Sequence, residues 1–308
     1  MFLVFLHLVV SEDCTNSHID IGRYSPLITG NFDINNCFFS RNGVFNGKGG
    51  IIYLTGVSSS LNMVNVMVFN GSSNDMGGVV YFDGGNVDMN RICCSKADAV
   101  SGIFAYVKSS SVNMQYISVS QTYAPEHLHL FRICYGVQRF DYNNASMNLC
   151  ASISGARFAF CSSLTSSYCT FSQNIAKNTE CIELCKGSSS RTLAYANIIG
   201  NYMIGSLYGI VVVYDNGAYT MSKCIFMDNN KTLFYCESGS SLFISDSVIN
   251  HVFPLSSGII TTSNIATSFK SSYKIDHFYS FYCPSPNFDF TKESKSTIKT
   301  VFLFIYLL

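Results

Sequence analysis

The residues best suited to chemistry are a periodic set of carboxylates and amides. Asp33, Asn62, Asp88, Asn113 and Asp141 recur at intervals of 25 to 29 residues, each in the middle of a short apolar–polar–apolar motif. If consecutive repeats stack as parallel strands, carboxylates two repeats apart lie about 9.6 Å from each other. That separation suits the acid and base of an inverting glycosidase. Asp33, Asp88 and Asp141 are therefore the catalytic candidates.

A structural interpretation of the same column competes with the catalytic one. Asp and Asn side chains stacked in register form ladders that hydrogen-bond along the stack. Polysaccharide-active enzymes add paired aspartates with Arg or His neighbours, and the sequence contains no such motif. We therefore favour the ladder over catalysis.

Two further clusters contain metal-binding residue types: Glu126, His127 and His129 in the first, and Cys181, Glu183 and Cys185 in the second. Zinc sites usually combine two closely spaced pairs of ligands, and neither cluster completes a tetrahedron. We expect packing or surface roles and no metal. Motifs of nucleophilic catalysis and phosphate binding are absent, so we also expect no cofactor.

The elements that position these side chains belong to a repeat of about 26 residues. Gly49-Gly50-Ile51-Ile52 and Gly77-Gly78-Val79-Val80 are its clearest copies, and each is followed by a tyrosine. The third residues of the second motif repeat in step: Ile34, Met63, Met89, Met114, Tyr142, Ser166, Tyr195, Met221 and Ile244. Motifs that alternate apolar and polar residues, or are apolar over four to six positions, predict strands.

We predict an all-β fold: a single-stranded right-handed parallel β-helix of about nine coils over residues 19–266, with a short irregular C-terminal tail. A dry core requires columns of similar side chains. One predicted inward column contains Cys37, Val66, Ile92, Ile117, Ala145, Cys169, Ile198 and Cys224. On the outside, Tyr53, Tyr81 and Tyr106 are expected to form an aromatic ladder.

Composition limits the partners. Of 308 residues, 48% are apolar and only 12% are charged, against about 25% charged in ordinary soluble proteins. The formal net charge is zero, and the basic residues form no stripe. This argues against nucleic acid or an anionic membrane as the main partner.

Both ends of the chain are apolar. Residues 1–11 resemble a signal peptide without a basic start; the alternative is a hydrophobic cap on the β-helix. Residues 267–308 contain a Cys-Pro pair and end in eight apolar residues, Val301 to Leu308. A membrane helix needs about 20, so this end predicts a truncated membrane anchor or, alternatively, a buried last strand.

The thirteen cysteines are an odd number, so at least one is unpaired within the chain. Cys134, Cys161 and Cys185 end successive first strands. Stacking would place their Cα atoms within disulfide range; we favour a stacked thiol column over a bridge. If the chain is exported, Asn70, Asn144 and Asn230 begin sequons that permit glycosylation.

With both motifs in view, the chain resembles the right-handed β-helix repeats of polymorphic membrane proteins. Those repeats pair Gly-Gly-apolar-apolar with Phe-x-x-Asn, which appears here as Phe39-Ser40-Arg41-Asn42, Phe171-Ser172-Gln173-Asn174 and Phe226-Met227-Asp228-Asn229. The resemblance covers roughly residues 25 to 266 and is closest to surface proteins of parasitic protists. In those, a Cys-Pro segment precedes the membrane anchor.

From these features we expect a secreted or surface-displayed protein without catalytic activity. Its role would be adhesion, cell contact or antigen display, and its partner a cell-surface protein or glycan. The alternatives are a carbohydrate-active β-helical enzyme and a degenerate copy without activity.

Overall fold

The computed structural model describes residues 13–15, 18–19, 23–26, 29–40, 46–187, 191–205, 208–230, 232–250, 255–268 and 273. These residues form β strands and no helix, so the described part of the chain contains no membrane-spanning helix. The predicted signal segment lies outside the described residues. Most of the predicted tail, including its Cys-Pro pair, also lies outside them.

The strands follow one another in chain order: β1 (Asp13–Thr15), β2 (His18–Ile19), β3 (Asn31–Asn35), β4 (Phe38–Ser40), β5 (Ile52–Phe69), β6 (Val80–Ser95), β7 (Ala105–Ser120), β8 (Tyr123–Ala124), β9 (His129–Cys134), β10 (Val137–Asp141), β11 (Asn144–Ser146), β12 (Leu149–Cys150), β13 (Ile153–Ala159), β14 (Ser163–Ser167), β15 (Thr170–Ser172), β16 (Ile175–Ala176), β17 (Ile182–Leu184), β18 (Arg191–Ala194), β19 (Asn197–Ile199), β20 (Tyr202–Met203), β21 (Val211–Val213), β22 (Ala218–Ser222), β23 (Ile225–Met227), β24 (Phe234–Cys236), β25 (Ser241–Ser245), β26 (Val248–Ile249), β27 (Leu255–Ser256) and β28 (Ile259–Ser263).

The strands wind into a parallel β-solenoid with three main sheets. The first sheet contains parts of β5, β6 and β7 and then β9, β13, β17, β21, β24 and β27. The second sheet continues through β10, β14, β18, β22, β25 and β28, and the third through β11, β15, β19, β23 and β26. A short fourth sheet contains β8, β12, β16 and β20. The chain completes about eight turns, which confirms the predicted parallel β-helix.

A single left-handed residue makes the corner between the second and third sheets. Ten such corner residues have φ between 49° and 57°: Asn36, Asn65, Arg91, Tyr116, Tyr142, Tyr168, Tyr195, Lys223, Asp246 and Asn264. One residue in this conformation turns the chain sharply. Asn and Asp tolerate it best. Tyrosine at four of these corners therefore needs a compensating interaction.

The Gly-Gly motif has a steric origin. Gly77 adopts φ +72°, which favours glycine. A Cβ on Gly78 would lie 2.3 Å from the carbonyl oxygen of Ile103 and 2.4 Å from that of Asp98. The second glycine is thus required because two backbone segments approach it too closely for any side chain.

The predicted core stack is confirmed at its start and wrong in its middle. Ile34, Met63, Met89 and Met114 pair in register and are fully buried. Phe140 and Leu193 take the places predicted for Tyr142 and Tyr195, whereas Ser166, Met221 and Ile244 keep their predicted places. Those tyrosines occupy the corner two residues later.

The second predicted column contains the same error. The register places Asn143 and Ala196 where Ala145 and Ile198 were expected, whereas Cys37, Val66, Ile92, Ile117, Cys169 and Cys224 keep their places. A shift of two residues leaves every side chain on the same side of a strand. Apolar alternation therefore cannot detect it.

Phe-x-x-Asn encodes a buried asparagine ladder at the corner that follows the third sheet. Asn148, Asn174, Asn201 and Asn229 are each at most 7% exposed. The side-chain oxygen of Asn174 accepts hydrogen bonds from the backbone N–H and the Nδ2 of Asn148, at 3.1 and 3.0 Å. Asn201 accepts from Asn174 in the same way, and Asn229 from Asn201. The ladder satisfies backbone groups that the corner would otherwise leave buried and unpaired.

Candidate binding surfaces

Asp33, Asn62, Asp88 and Asn113 align in register on the second sheet and hydrogen-bond as two pairs. Asn62 Nδ2 donates to Asp33 Oδ1 at 2.6 Å, and Asn113 Nδ2 donates to Asp88 Oδ1 at 3.2 Å. Each carboxylate is therefore engaged by the amide of the next coil. On its other side, Asp33 pairs in register with Asp13 of β1.

Asp141 does not belong to this column. Arg139 follows Asn113 in register, and Asp141 aligns with Gln115 two residues further on. The Asp141 carboxylate is buried, lies 2.6 Å from Arg139 Nε and accepts hydrogen bonds from the backbone and hydroxyl of Ser167. The predicted alignment of Asp33 with Asp88 is confirmed, whereas that of Asp141 was wrong, again by two residues.

Four half-buried tyrosines stack along the corner between the second and third sheets. The ring centroids of Tyr116 and Tyr142 are 4.8 Å apart, those of Tyr142 and Tyr168 5.0 Å, and those of Tyr168 and Tyr195 4.8 Å. Their planes differ by at most 8°. We call these four residues the tyrosine ridge. The stacking is the interaction that compensates for left-handed backbone at tyrosine.

The ridge presents ring edges and hydroxyl groups, because each ring face covers its neighbour. At one end, Lys223 Nζ lies 5.0 Å from the ring centroid of Tyr195 and donates to its hydroxyl at 2.8 Å. Tyr273 meets Tyr195 edge to face, and its backbone exchanges two hydrogen bonds with the Asn197 side chain. Burial, and then the neighbouring phenols, raise the pKa of Tyr142.

A second aromatic ladder lies on the first sheet, where it was predicted. Tyr53, Tyr81 and Tyr106 stack with centroid distances of 5.5 and 5.4 Å. Cations cover it: Lys48 Nζ lies 4.8 Å from the Tyr81 ring centroid, and Arg132 Cζ lies 5.0 Å from that of Tyr106. This ladder is therefore more enclosed than the tyrosine ridge.

Next to this second ladder lies a buried polar cluster that the sequence did not reveal. His129 Nε2 lies 3.1 Å from Arg157 Nη1, and His129 Nδ1 lies 2.9 Å from Ser101 Oγ. Because a guanidinium only donates, Nε2 accepts and Nδ1 carries the hydrogen. Burial, then the charges of Arg157 and Arg132, hold the pKa of His129 well below its usual value.

Two carboxyl groups complete this buried cluster. Glu183 Oε1 lies 3.1 Å from Arg157 Nε and accepts a hydrogen bond from the Cys185 thiol. Glu180 is 2% exposed. Burial, followed by the charge of Glu183, raises the pKa of Glu180 to about 9. The environment of Glu180 thus favours its neutral, protonated form.

The two metal candidates separate in the structure. His127 contacts Asp98 at 2.7 Å on the outside, whereas His129 is buried in the polar cluster. Cys181 belongs to the main core and Cys185 to a small separate apolar cluster. Among the described residues, no three His, Cys, Asp or Glu side chains are grouped to hold a metal ion.

The predicted thiol column was wrong. Ala159 pairs with Cys134 and separates it from Cys185 in the next coil, and Cys161 lies two residues beyond Ala159. All three cysteines are free and buried. Cys93, which the sequence did not single out, is disulfide-bonded.

The free thiols are expected to resist alkylation in the folded protein. Burial raises the pKa of Cys169, Cys181 and Cys224 to about 12, and reactivity requires an accessible thiolate. Iodoacetamide should modify them at least about a hundredfold more slowly before unfolding than after it. Peptide mass spectrometry measures this ratio, and rapid native labelling of all three would contradict their burial.

The three sequons differ in accessibility. Asn70 is exposed. Asn144 is 3% exposed, and its Nδ2 donates to Ser118 Oγ at 2.9 Å. The Asn230 side chain is bonded to both backbone groups of Met203. A glycan would therefore fit the folded chain best at Asn70.

Comparison of the chain with protein-family models, with curated proteins and with solved structures finds no match.

Proposed function

We propose that this β-helix acts by contact rather than by turnover, as a secreted or surface-displayed protein that binds another protein through the tyrosine ridge. The observation that carries the proposal is the ridge itself: four stacked tyrosines that present a straight line of ring edges and hydroxyls. Tyrosine is enriched at the energetic centres of protein interfaces. Stacking also fixes the rings before binding, which lowers the entropy cost of association.

A protein partner suits this geometry better than a sugar. Sugar rings stack on aromatic faces, and in the ridge these faces cover one another. The enzyme alternative has less support, since Asp141 is ion-paired away from the column and Asp33 and Asp88 are each engaged by an amide. A surface location is supported by the Cys93 disulfide, because disulfides persist in oxidising compartments.

The resemblance to polymorphic membrane proteins supports the same role. Gly78 sits where two backbones meet, and Phe171 and Asn174 supply a core side chain and a ladder amide. Both motifs thus serve the stacking of coils, which leaves the outer faces free to vary for recognition. We therefore propose display and cell contact as the role of the chain.

Binding should be lost when the ridge is removed. Tyr142→Ser with Tyr168→Ser takes away the two central rings, and we expect the affinity of purified protein for target cells to fall at least about tenfold. Flow cytometry measures it. The matched control is Tyr123→Ser with Tyr202→Ser, since both tyrosines are exposed outside the ridge. Equal binding by the two double variants would refute the proposal. If binding survives protease treatment of the target cells but is lost after glycosidase treatment, the partner is a glycan and not a protein.

A further inference from the structure

We propose that the groove beside Arg191 binds an oxyanion, the carboxylate or sulfate of an acidic saccharide. The inference does not depend on the tyrosine ridge. Arg191 begins β18, and Tyr195 follows the other end of that strand, about 13 Å away. The two sites therefore lie on the same coil and can be tested separately.

Arg191 occupies an inward column whose other described members are apolar, apart from Gln138 and the hydroxyl of Tyr219. It pairs with Leu164 on one side, and the register places Tyr219 on the other. The preceding members of this inward column include Phe32, Leu61, Val87 and Val112, all buried. Arginine is only 4% exposed here. Packing alone would favour leucine or methionine at this position.

The guanidinium of Arg191 has no counterion among the described residues. Its Nε and Nη1 are buried and have no hydrogen-bond partner. Its Cζ lies 4.8 Å from the ring centroid of Tyr219, whose hydroxyl donates to the carbonyl of Cys185 at 2.6 Å. An unpaired buried charge costs several kcal/mol. A bound anion would remove that cost.

The groove next to Arg191 has room for such an anion and the right chemistry around it. A Cβ on Gly187 would lie 2.5 Å from Arg191 Nε, so only glycine leaves space beside the guanidinium at this position. Asn216, Thr220 and Ser241 also line the groove, and its described lining contains no Asp or Glu. A guanidinium can donate two parallel hydrogen bonds to a pair of oxygens of a carboxylate or sulfate group. The neighbouring amide and hydroxyls suit the hydroxyl groups of a sugar.

Thermal unfolding of the full chain tests the site. At matched ionic strength, sulfate and glucuronate should raise the unfolding midpoint by several degrees in a saturable manner, whereas chloride and glucose should not. Arg191→Met fits the apolar column and should abolish the response. Arg191→Lys keeps the charge without the bidentate fork and should weaken the apparent affinity about tenfold. Arg91→Met, which removes an exposed arginine, is the matched control.

The possible results separate cleanly. A saturable response to both anions that is lost in Arg191→Met and kept in Arg91→Met supports the site. A response to inorganic sulfate alone overturns the saccharide assignment. No anion response in the unmodified chain, or one that Arg191→Met or Arg191→Lys leaves unchanged, overturns the site itself. These outcomes do not depend on whether the variant with Tyr142→Ser and Tyr168→Ser loses its binding to cells.

Discussion

Replacing Asn174 with alanine is expected to lower the free energy of unfolding by about 2–6 kcal/mol, at about 0.5–1.5 kcal/mol for each of four buried hydrogen bonds that are lost. The Asn174 oxygen accepts two hydrogen bonds from Asn148, and its Nδ2 donates to the Ala145 carbonyl at 2.7 Å and to Asn201 Oδ1. Alanine removes all four bonds. It also leaves the buried Asn148 N–H without its acceptor. Urea denaturation followed by circular dichroism measures the loss.

The matched control is Asn113→Ala in the outer Asx ladder. Asn113 makes one side-chain bond to an exposed carboxylate, that of Asp88, at 3.2 Å. Its loss should cost about 1 kcal/mol or less, because water replaces the bond. A cost for Asn174→Ala no larger than that for Asn113→Ala would show that the inner ladder does not hold the corners together.

The sequence predicted the solenoid because its repeat signals reflect local needs of the backbone. Two backbone carbonyl groups leave no space for a side chain at Gly78. Phe171 fills a core position and Asn174 a position in the asparagine ladder. Such requirements recur once per coil, so they survive in one sequence. They identify the strands and the period well.

The register in the middle of the chain could not be predicted from apolar alternation. Tyr142 was aligned with Met114, although Phe140 takes that place and Tyr142 turns the corner. Both alignments keep apolar residues inward, since they differ by two positions. The tyrosine ridge was missed for this reason. One signal could have revealed it: Tyr116, Tyr142, Tyr168 and Tyr195 recur every 26 or 27 residues.

The buried polar cluster was invisible for a different reason. His129 and Glu183 were seen only as isolated metal candidates, because their partners come from other coils. Arg157 joins the two, and its position depends on the register across β9, β13 and β17. A polar network formed between coils has no signature within any one coil.

Because of this cluster, we expect the free energy of unfolding to depend on pH in two opposing ways, one at alkaline and one at acid pH. The pKa of Glu180 is raised in the folded state, so the folded protein holds a proton that the unfolded chain releases above about pH 4.5. Its contribution is complete below that pH and falls as pH rises toward about 9. The pKa of His129 is lowered instead. Its contribution is complete above about pH 6.5 and is lost as pH falls below that value.

Glu180→Gln should remove the loss of stability that is expected at alkaline pH. A neutral amide replaces the buried carboxyl, so the variant should be more stable than the parent by several kcal/mol at pH 9 and close to it at pH 5. Both proteins should still lose stability at acid pH, because both contain His129. Urea denaturation at intervals from pH 5 to 9 measures the difference, and Glu126→Gln, at an exposed carboxyl beside Lys177, is the control. Parallel profiles for the parent and Glu180→Gln would mean that Glu180 is ionised in the folded chain, with Arg157 compensating both carboxylates of the cluster.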